Sequence, residues 1–183
     1  KPGAELIVGL KNGIDKETFR KAILDKDIES CLNKIKVYPD DIINIPAGMI
    51  HAIGENIMLA EIQQNSNVTY RVYDYDRRDT QGSLRTLHIE KALDVIDFSS
   101  KIPETNRKQF NNEKSDIYTI AIENKYFSIE IYDIKEEIKQ YANGETFFLY
   151  IFTKGSGNIK FDNMTIPVSK GDTYLVPANI GKF

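Results

Sequence analysis

The chain reads as a mainly β protein: two sheet units, the first carrying a few short helices. Three observations lead there. Short apolar or alternating runs recur along the 183 residues, most of them closed by Gly, Pro or Asn. Helical periodicity is confined to residues 15–33 and 87–98. One phrase, an Asp followed five residues later by Pro-Ala, occurs at Asp41-Pro46-Ala47 and again at Asp172-Pro177-Ala178. An internal echo of that kind implies two copies of one β unit.

Composition sets the outer limits. A hydrophobic fraction of 41% and a charged fraction of 28% are those of an ordinary globule with a buried core. Lys and Arg number 24 against 27 Asp and Glu, a net charge of -3, which gives no electrostatic footprint for nucleic acid or an anionic membrane. No run of about 18 apolar residues and no basic-then-apolar leader is present, so neither a membrane span nor a signal peptide is expected. The one cysteine, Cys31, excludes an internal disulfide and fits a reducing, cytoplasmic setting, with the thiol structural. Nothing in the sequence fixes an oligomeric state.

The elements follow in order. Ala4–Leu10 is a strand that runs without a breaker to Asn12-Gly13. Asp15 fits a helix N-cap, with Phe19, Ala22 and Ile23 on one face beyond it; a second short helix spans about Asp27–Asn33. Strand resumes at Lys34–Tyr38. Asp41–Ile45 and His51–Gly54 then form the arms of a hairpin turned by Pro46-Ala47-Gly48, where Pro fixes φ and Gly accepts a positive one. Ile57–Gln64 is expected as a strand apolar enough to be buried on both faces. Val68–Tyr75 is the next, with Tyr70, Val72 and Asp74 on one face and Thr69, Arg71 and Tyr73 on the other. Helix covers 87–98, with His88 in its first turn as a structural residue. Residues 99–115, with Pro103 and several Asn and Gln, form a linker. Residues 116–183 are almost entirely β, with hairpins across Asn124-Lys125 and Asp162-Asn163.

The chemistry-bearing residues gather between 40 and 91. His51, just after the Pro-Ala-Gly turn, is a candidate metal ligand, because a side chain on a paired strand points one way reproducibly. Glu61, Gln63, Gln64, Arg71, Tyr73, Asp74, Asp76 and Arg77 follow on runs that are otherwise apolar, as the lining of a cavity would be. In the second copy Asn179 stands at the Gly48 position and Lys182 at the His51 position, so that copy keeps the turn and lacks the ligand.

An acidic residue, apolar positions and Pro-x-Gly-x-x-His resemble the second motif of the cupin superfamily, small antiparallel jelly-roll β-barrels that hold a metal at the mouth. Glu61–Asn67, Thr69–Arg77 and Leu87–Leu93 sharpen this to a resemblance to the bacterial type I mannose-6-phosphate isomerases. The resemblance covers essentially the whole chain and is most specific between Asp40 and Leu93. It implies that residues 1–98 are the C-terminal part of a catalytic cupin, incomplete and carrying the helical insert 15–33, and that 116–183 are a second, degenerate and truncated cupin. It also implies interconversion of mannose 6-phosphate and fructose 6-phosphate through a cis-enediol, with one zinc ion (Zn2+) in the intact enzyme. The family's zinc ligands are a Gln-x-His pair, a Glu and a later His. Only the last has a counterpart here, His51, so the chain is expected to be an inactive fragment with an incomplete metal site. Glu61 matches a family carboxylate near the sugar and is the candidate for moving the proton or orienting the group that does, against a plain reading as a salt-bridged or mouth-exposed carboxylate. Arg71 matches the arginine that stabilises enediolate charge. Arg77 falls where related isomerases often carry a basic residue and is a candidate to meet the phosphate or the substrate's hydroxyls, against a plain reading as a structural, exposed loop residue. Two other readings compete: a non-catalytic sugar-sensing cupin module, and a purely structural β domain.

Overall fold

The computed structural model describes residues 1–103, 106–107 and 117–183. Contacts divide the described chain into two compact units, one holding residues up to 107 together with 119–131, the other 117–118 and 132–183.

The first unit is built on a three-stranded antiparallel sheet. Its central strand is β1 (Ala4–Leu10), flanked by β2 (Leu32–Val37) and by a strand at His51–Ile53. Between those flanks in sequence lies the two-residue strand β3 (Asp41–Ile42), so His51–Ile53 is β4. Strand β1 is buried along Leu6–Leu10, which alternation alone would divide as Leu6, Val8 and Leu10 against Ile7 and Gly9. The division comes out differently because Gly9 takes φ +74° and the register with β2 shifts between Ile7 and Leu10. This bulge returns Leu10 to the face of Ile7. Ile7 and Leu10 then pack with Phe19, Cys31 and Leu93, while Leu6 and Val8 pack with Met49 on the opposite face.

Helix α1 (Lys16–Leu24) starts where Asp15 Oδ1 accepts a hydrogen bond from Thr18 N at 2.8 Å, as the N-cap reading expects. Its apolar face puts Phe19, fully buried, into the Ile7 core. A 3-10 turn at Ile28–Cys31 buries the cysteine. Helix α2 is shorter than its sequence pattern, Ile89–Val95, with His88 at the N-cap position and Ile96 already extended. It contributes Ala92 and Leu93 to the core. Lys16 and Arg20 of α1 reach Asp94 and Glu90 of α2, but these exposed pairs are worth about 0.2–1 kcal/mol each. The edge-to-face contact of Phe19 with Phe98, centroids 6.2 Å apart, and the burial of Leu93 hold the helices in place.

Two expectations fail here. Pro46-Ala47-Gly48 does not turn a hairpin: β4 pairs with β1, Val8 opposite His51, and β3 pairs with β5 (Asn106–Arg107). The reversal itself forms, with Met49 N donating to Pro46 O at 3.2 Å and Gly48 at φ +83°. Its tip docks on the end of α2, where Asp97 N donates to Gly48 O and an added Cβ at Gly48 would lie 2.9 Å from Val95 O. Nor is Ile57–Gln64 a strand buried on both faces: Ile57 packs beside Met49, but Met58 is 96% exposed and the run is irregular. A doubly buried strand needs ladder partners at its edges, and no described residue supplies one.

The remaining strands are hairpins and short ladders. Strands β6 (Ile117–Glu123) and β7 (Ser128–Asp133) turn at Asn124, whose Oδ1 accepts from Tyr126 N and Phe127 N. In the second unit β8 (Tyr141–Ala142) and β9 (Phe148–Ile151) pair with the last two strands of the chain. Strands β10 (Ser156–Phe161) and β11 (Met164–Ser169) form the expected hairpin, with Asp162 at φ +48° in its turn. The last two strands are β12 (Thr173–Val176), opposite β9, and β13 (Gly181–Lys182), opposite β8. The expected linker 99–115 lies largely outside the described residues. Of it, Ser99 and Ser100 close a turn on Asp97, and Asn106–Arg107 form β5.

The sequence echo is matched bond for bond. Asp41 N donates to Tyr38 O at 3.2 Å while Asp41 Oδ2 accepts from Tyr38 N at 2.9 Å. Asp172 N donates to Ser169 O at 3.0 Å while its Oδ2 accepts from Ser169 N at 2.8 Å. The position before each Asp has positive φ, Asp40 at 70° and Gly171 at 98°. Ile180 N closes on Pro177 O as Met49 N closes on Pro46 O.

Gly54, just past β4, packs against β1 so closely that a Cβ there would sit 2.0 Å from Glu5 O. Gly54→Ala is expected to displace β4 from β1 and lower stability by about 3 kcal/mol, read from the urea midpoint. A loss below about 1 kcal/mol would show that the strand has room to move.

Candidate functional site

The candidate residues sit on three kinds of local structure. His51 opens β4, exposed, its backbone held opposite Val8. Its Nδ1 lies 3.1 Å from Met49 O, and the tautomer protonated there donates to that carbonyl and leaves Nε2 with the lone pair. Glu61 lies in the exposed irregular run after Ile57 and makes no hydrogen bond or ion pair among the described residues. Arg71 and Arg77 belong to a cluster around Asp74.

The cluster grows out of a reversal. Residues 68–73 are not the alternating strand the sequence implies; Val72 turns into the Ile7 core. Arg71 is held instead by α2's start, with His88 N donating to Arg71 O at 2.7 Å and Arg71 N approaching His88 Nδ1 at 3.4 Å. The chain then reverses through Asp74–Arg77, where Arg77 N donates to Asp74 O at 3.0 Å. The two central residues, Tyr75 and Asp76, have φ of 54° and 51°, the sign of a mirror-image turn.

That turn brings three guanidinium groups onto one buried carboxylate. Asp74 is 5% exposed, and its Oδ1 meets Arg77 Nη2 at 2.5 Å, Arg85 Nη1 at 3.2 Å and Arg71 Nε at 3.4 Å. Arg71 also donates from Nη1 to Thr86 O at 3.3 Å, and Arg77 Nε donates to Asp74 O at 3.2 Å. Burial alone would raise the Asp74 carboxyl, but the Arg77 hydrogen bond and the charges of Arg77, Arg85 and Arg71 outweigh it and hold the group below the ordinary aspartate value. Oδ2 is buried and accepts no hydrogen bond from any described residue.

One member of this cluster, Arg85, escapes a reading by residue type. Arg85 sits in the polar loop before α2, and only the fold shows that the loop returns to Asp74. Asp74 is one of the polar residues singled out on that run, but residue type does not show that Arg71, Arg77 and Arg85 all meet it. His51 and Glu61 make no hydrogen bond or ion pair with the cluster among the described residues. A cleft of about 460 Å³ near Glu5, Glu29, Lys34, Glu55 and Tyr75 contains none of the four candidates. Among the described residues no three His, Cys, Asp or Glu side chains group as a metal site.

Comparison with known proteins gives the family. Residues 116–183 match the family described as mannose-6-phosphate isomerase, cupin domain. The chain is 36% identical over 182 residues to the mannose-6-phosphate isomerase ManA of Bacillus subtilis, covering 98% of this chain and 56% of the relative. It is 33% identical over 178 residues to the mannose-6-phosphate isomerase of Streptococcus mutans, covering 97% and 55%. The crystal structure of the Bacillus subtilis mannose 6-phosphate isomerase superposes with a TM-score of 0.87 at 34% identity, over 100% of this chain and 57% of that one. Residues 116–183 belong to the family of mannose-6-phosphate isomerase cupin domains, and the whole chain is similar to mannose-6-phosphate isomerases. The structural match gives it a cupin fold, and it spans somewhat over half the length of the relatives it matches.

The Asp74 cluster makes stability depend on pH in a fixed direction. Because the folded carboxyl lies below the ordinary 3.8, ionised Asp74 stabilises the fold at neutral pH, and this is lost as pH falls from about 3.8 through the folded value. The stability advantage of wild type over Asp74→Asn, read from urea midpoints, is expected to hold down to the aspartate range and shrink below it. An advantage unchanged in stronger acid would show that charge is not its source.

Proposed function

We propose that the chain is the C-terminal part of a type I mannose-6-phosphate isomerase, acting on mannose 6-phosphate and fructose 6-phosphate. The observation that carries this reading is Arg71: a guanidinium pinned through its backbone to the start of α2 and through its side chain to Asp74 and Thr86. Aldose–ketose conversion moves a proton between neighbouring carbons and develops negative charge on the carbonyl oxygen that one of them carries. A fixed, permanently charged fork is suited to that oxygen, because it needs no reorganisation when the charge appears. In this reading Arg71 stabilises the enediolate and Arg77, 61% exposed at its side chain, meets the phosphate or the hydroxyls. Glu61 is the carboxylate that moves the proton or orients the group that does. Its exposed, uncommitted position in this chain leaves it available for that work.

The family resemblance brings in one zinc ion, which would polarise the sugar's oxygens when bound. The residues of this chain do not fit such a site unaided. His51 Nε2 is a single donor, whereas zinc sites use three or four protein ligands. The steps assigned to this chain are those of its own side chains. A cytoplasmic location accords with a sugar-phosphate substrate and the reduced Cys31; no described helix is long and apolar enough to cross a membrane.

Two measurements test the reading. The purified 183-residue chain should carry well under one zinc per chain and show negligible isomerase turnover in a coupled assay. Full turnover from it alone would overturn the claim that further ligands are needed. In a chain completed to the length of its relatives, Arg71→Ala should lower kcat by about 10²–10³-fold with a small change in Tm. A kcat near wild type would remove Arg71 from the chemistry.

A further inference from the structure

We propose that Asp74 is a positioning residue, which gathers Arg71, Arg77 and Arg85 into one cationic face, and that Arg85 is a third arm of that face toward a phosphorylated sugar. The inference rests on the isomerase reading for the identity of the ligand, and on the cluster's own geometry for the rest.

Charge is the first argument. Three guanidinium groups share one carboxylate, leaving a surplus of two positive charges in a chain whose net charge is -3. The arms also differ in exposure. Asp74 is 5% exposed, while the side chains of Arg71, Arg77 and Arg85 are 20%, 61% and 43% exposed. The anion is inside and the cations fan outward from it. Each guanidinium carries five N–H donors, and Asp74 with Thr86 engages only some of them. The remainder form a surface on which an anion with several oxygens can be gripped by more than one arginine.

Stability is a poor explanation of the same arrangement. Burying a carboxylate is costly, and one well-placed arginine would compensate it as a simple ion pair. Here Oδ1 takes all three cations while Oδ2 has no partner among the described residues. The turn that delivers Arg77 adds two non-glycine residues with positive φ, Tyr75 and Asp76. Strain of this kind persists where the surroundings over-determine it, and it gathers at ligand clamps. A buried orphan oxygen, three converging cations and a strained turn have one common consequence: they fix where the guanidinium groups point.

The test uses the 183-residue chain with three variants. Fructose 6-phosphate and inorganic phosphate are titrated calorimetrically, and arginine Nε–H resonances are followed by NMR. Asp74→Asn, which keeps the shape and removes the charge, should weaken fructose 6-phosphate binding by about tenfold or more. Asp74→Glu should recover part of that loss. In Asp74→Asn the Nε–H signal of Arg71, whose Nε faces the carboxylate, should move toward the position of free arginine, while that of Arg77, which donates to the Asp74 backbone carbonyl, and the core amides stay in place. Arg85→Gln, on an exposed side chain, should weaken binding by about threefold or more at unchanged Tm. Binding within twofold of wild type in Asp74→Asn, or an Arg71 Nε–H signal that does not move, overturns the positioning role. Unchanged binding in Arg85→Gln removes the third arm. If wild type binds inorganic phosphate but not fructose 6-phosphate, the isomerase reading fails and the clamp stands. If the Arg71 Nε–H signal moves but wild type binds neither probe, the cluster is an internal ion network and the proposal is overturned.

Discussion

Strand β1 is the constraint on which the first unit depends. It is paired on both edges, to β2 and to β4, and both its faces are dry. A seven-residue strand with alternating sides would serve two cores unequally; the bulge at Gly9 moves Leu10 across so that Ile7 and Leu10 act together against Phe19. The same strand places the only candidate metal ligand. His51 is where it is because Val8 stands opposite, and Gly9 N donates to Ile50 O at 2.8 Å just ahead of it. Site geometry thus inherits from core packing. A disturbance of the bulge would reach the imidazole through two hydrogen-bonded strands without touching it.

The two copies of the Asp–Pro-Ala phrase separate what a fold needs from what a reaction needs. Both copies make the turn closed by an aspartate reaching back to the backbone, and both make the reversal after proline. Those bonds pair backbone groups that the turns take out of the strand ladders, and they recur wherever the unit is used. Gly48 is glycine in the first copy because the α2 terminus lies against it; Asn179 suffices in the second. Histidine stands at this place only in the first copy, with its Nδ1 3.1 Å from Met49 O at the end of the reversal; Lys182 stands there in the second.

The sequence was legible where the signal is local. Strand β1 has its expected bounds, Asp15 caps its helix, and the β10–β11 hairpin forms about Asp162. It misled where pairing decides. Pro46-Ala47-Gly48 turns the chain as its residues dictate, but what its arms pair with is settled by β1, which lies far away in sequence. Ile57–Gln64 has the composition of a buried strand, yet composition cannot supply the neighbouring edge that would make it one. The candidate site divides in the same way. Arg71, Arg77, Glu61 and His51 were reachable from motif and residue type. Asp74 as hub and Arg85 as a member were not, since their meeting depends on the loop from Arg77 to Leu87 folding back.

Motif and geometry place Arg71 differently, and the difference is informative. The sequence assigned it to the face of an apolar strand, where an arginine would be costly unless a ligand met it. The structure puts it on an irregular segment, tied to His88 and Asp74 and only 20% exposed at its side chain. Held this way the group has already lost its side-chain freedom and part of its hydration before any substrate arrives. Those are two of the larger costs of gripping an anion, and they are met in folding. An arginine that only balanced Asp74 would need neither a second hold at Thr86 nor a backbone clasp at His88, because Arg77 already lies closer to the carboxylate. The additional holds act on direction. Direction is what an oxyanion requires of a donor, and it is why the pinned arginine, more than the lone histidine, is the informative residue of this chain.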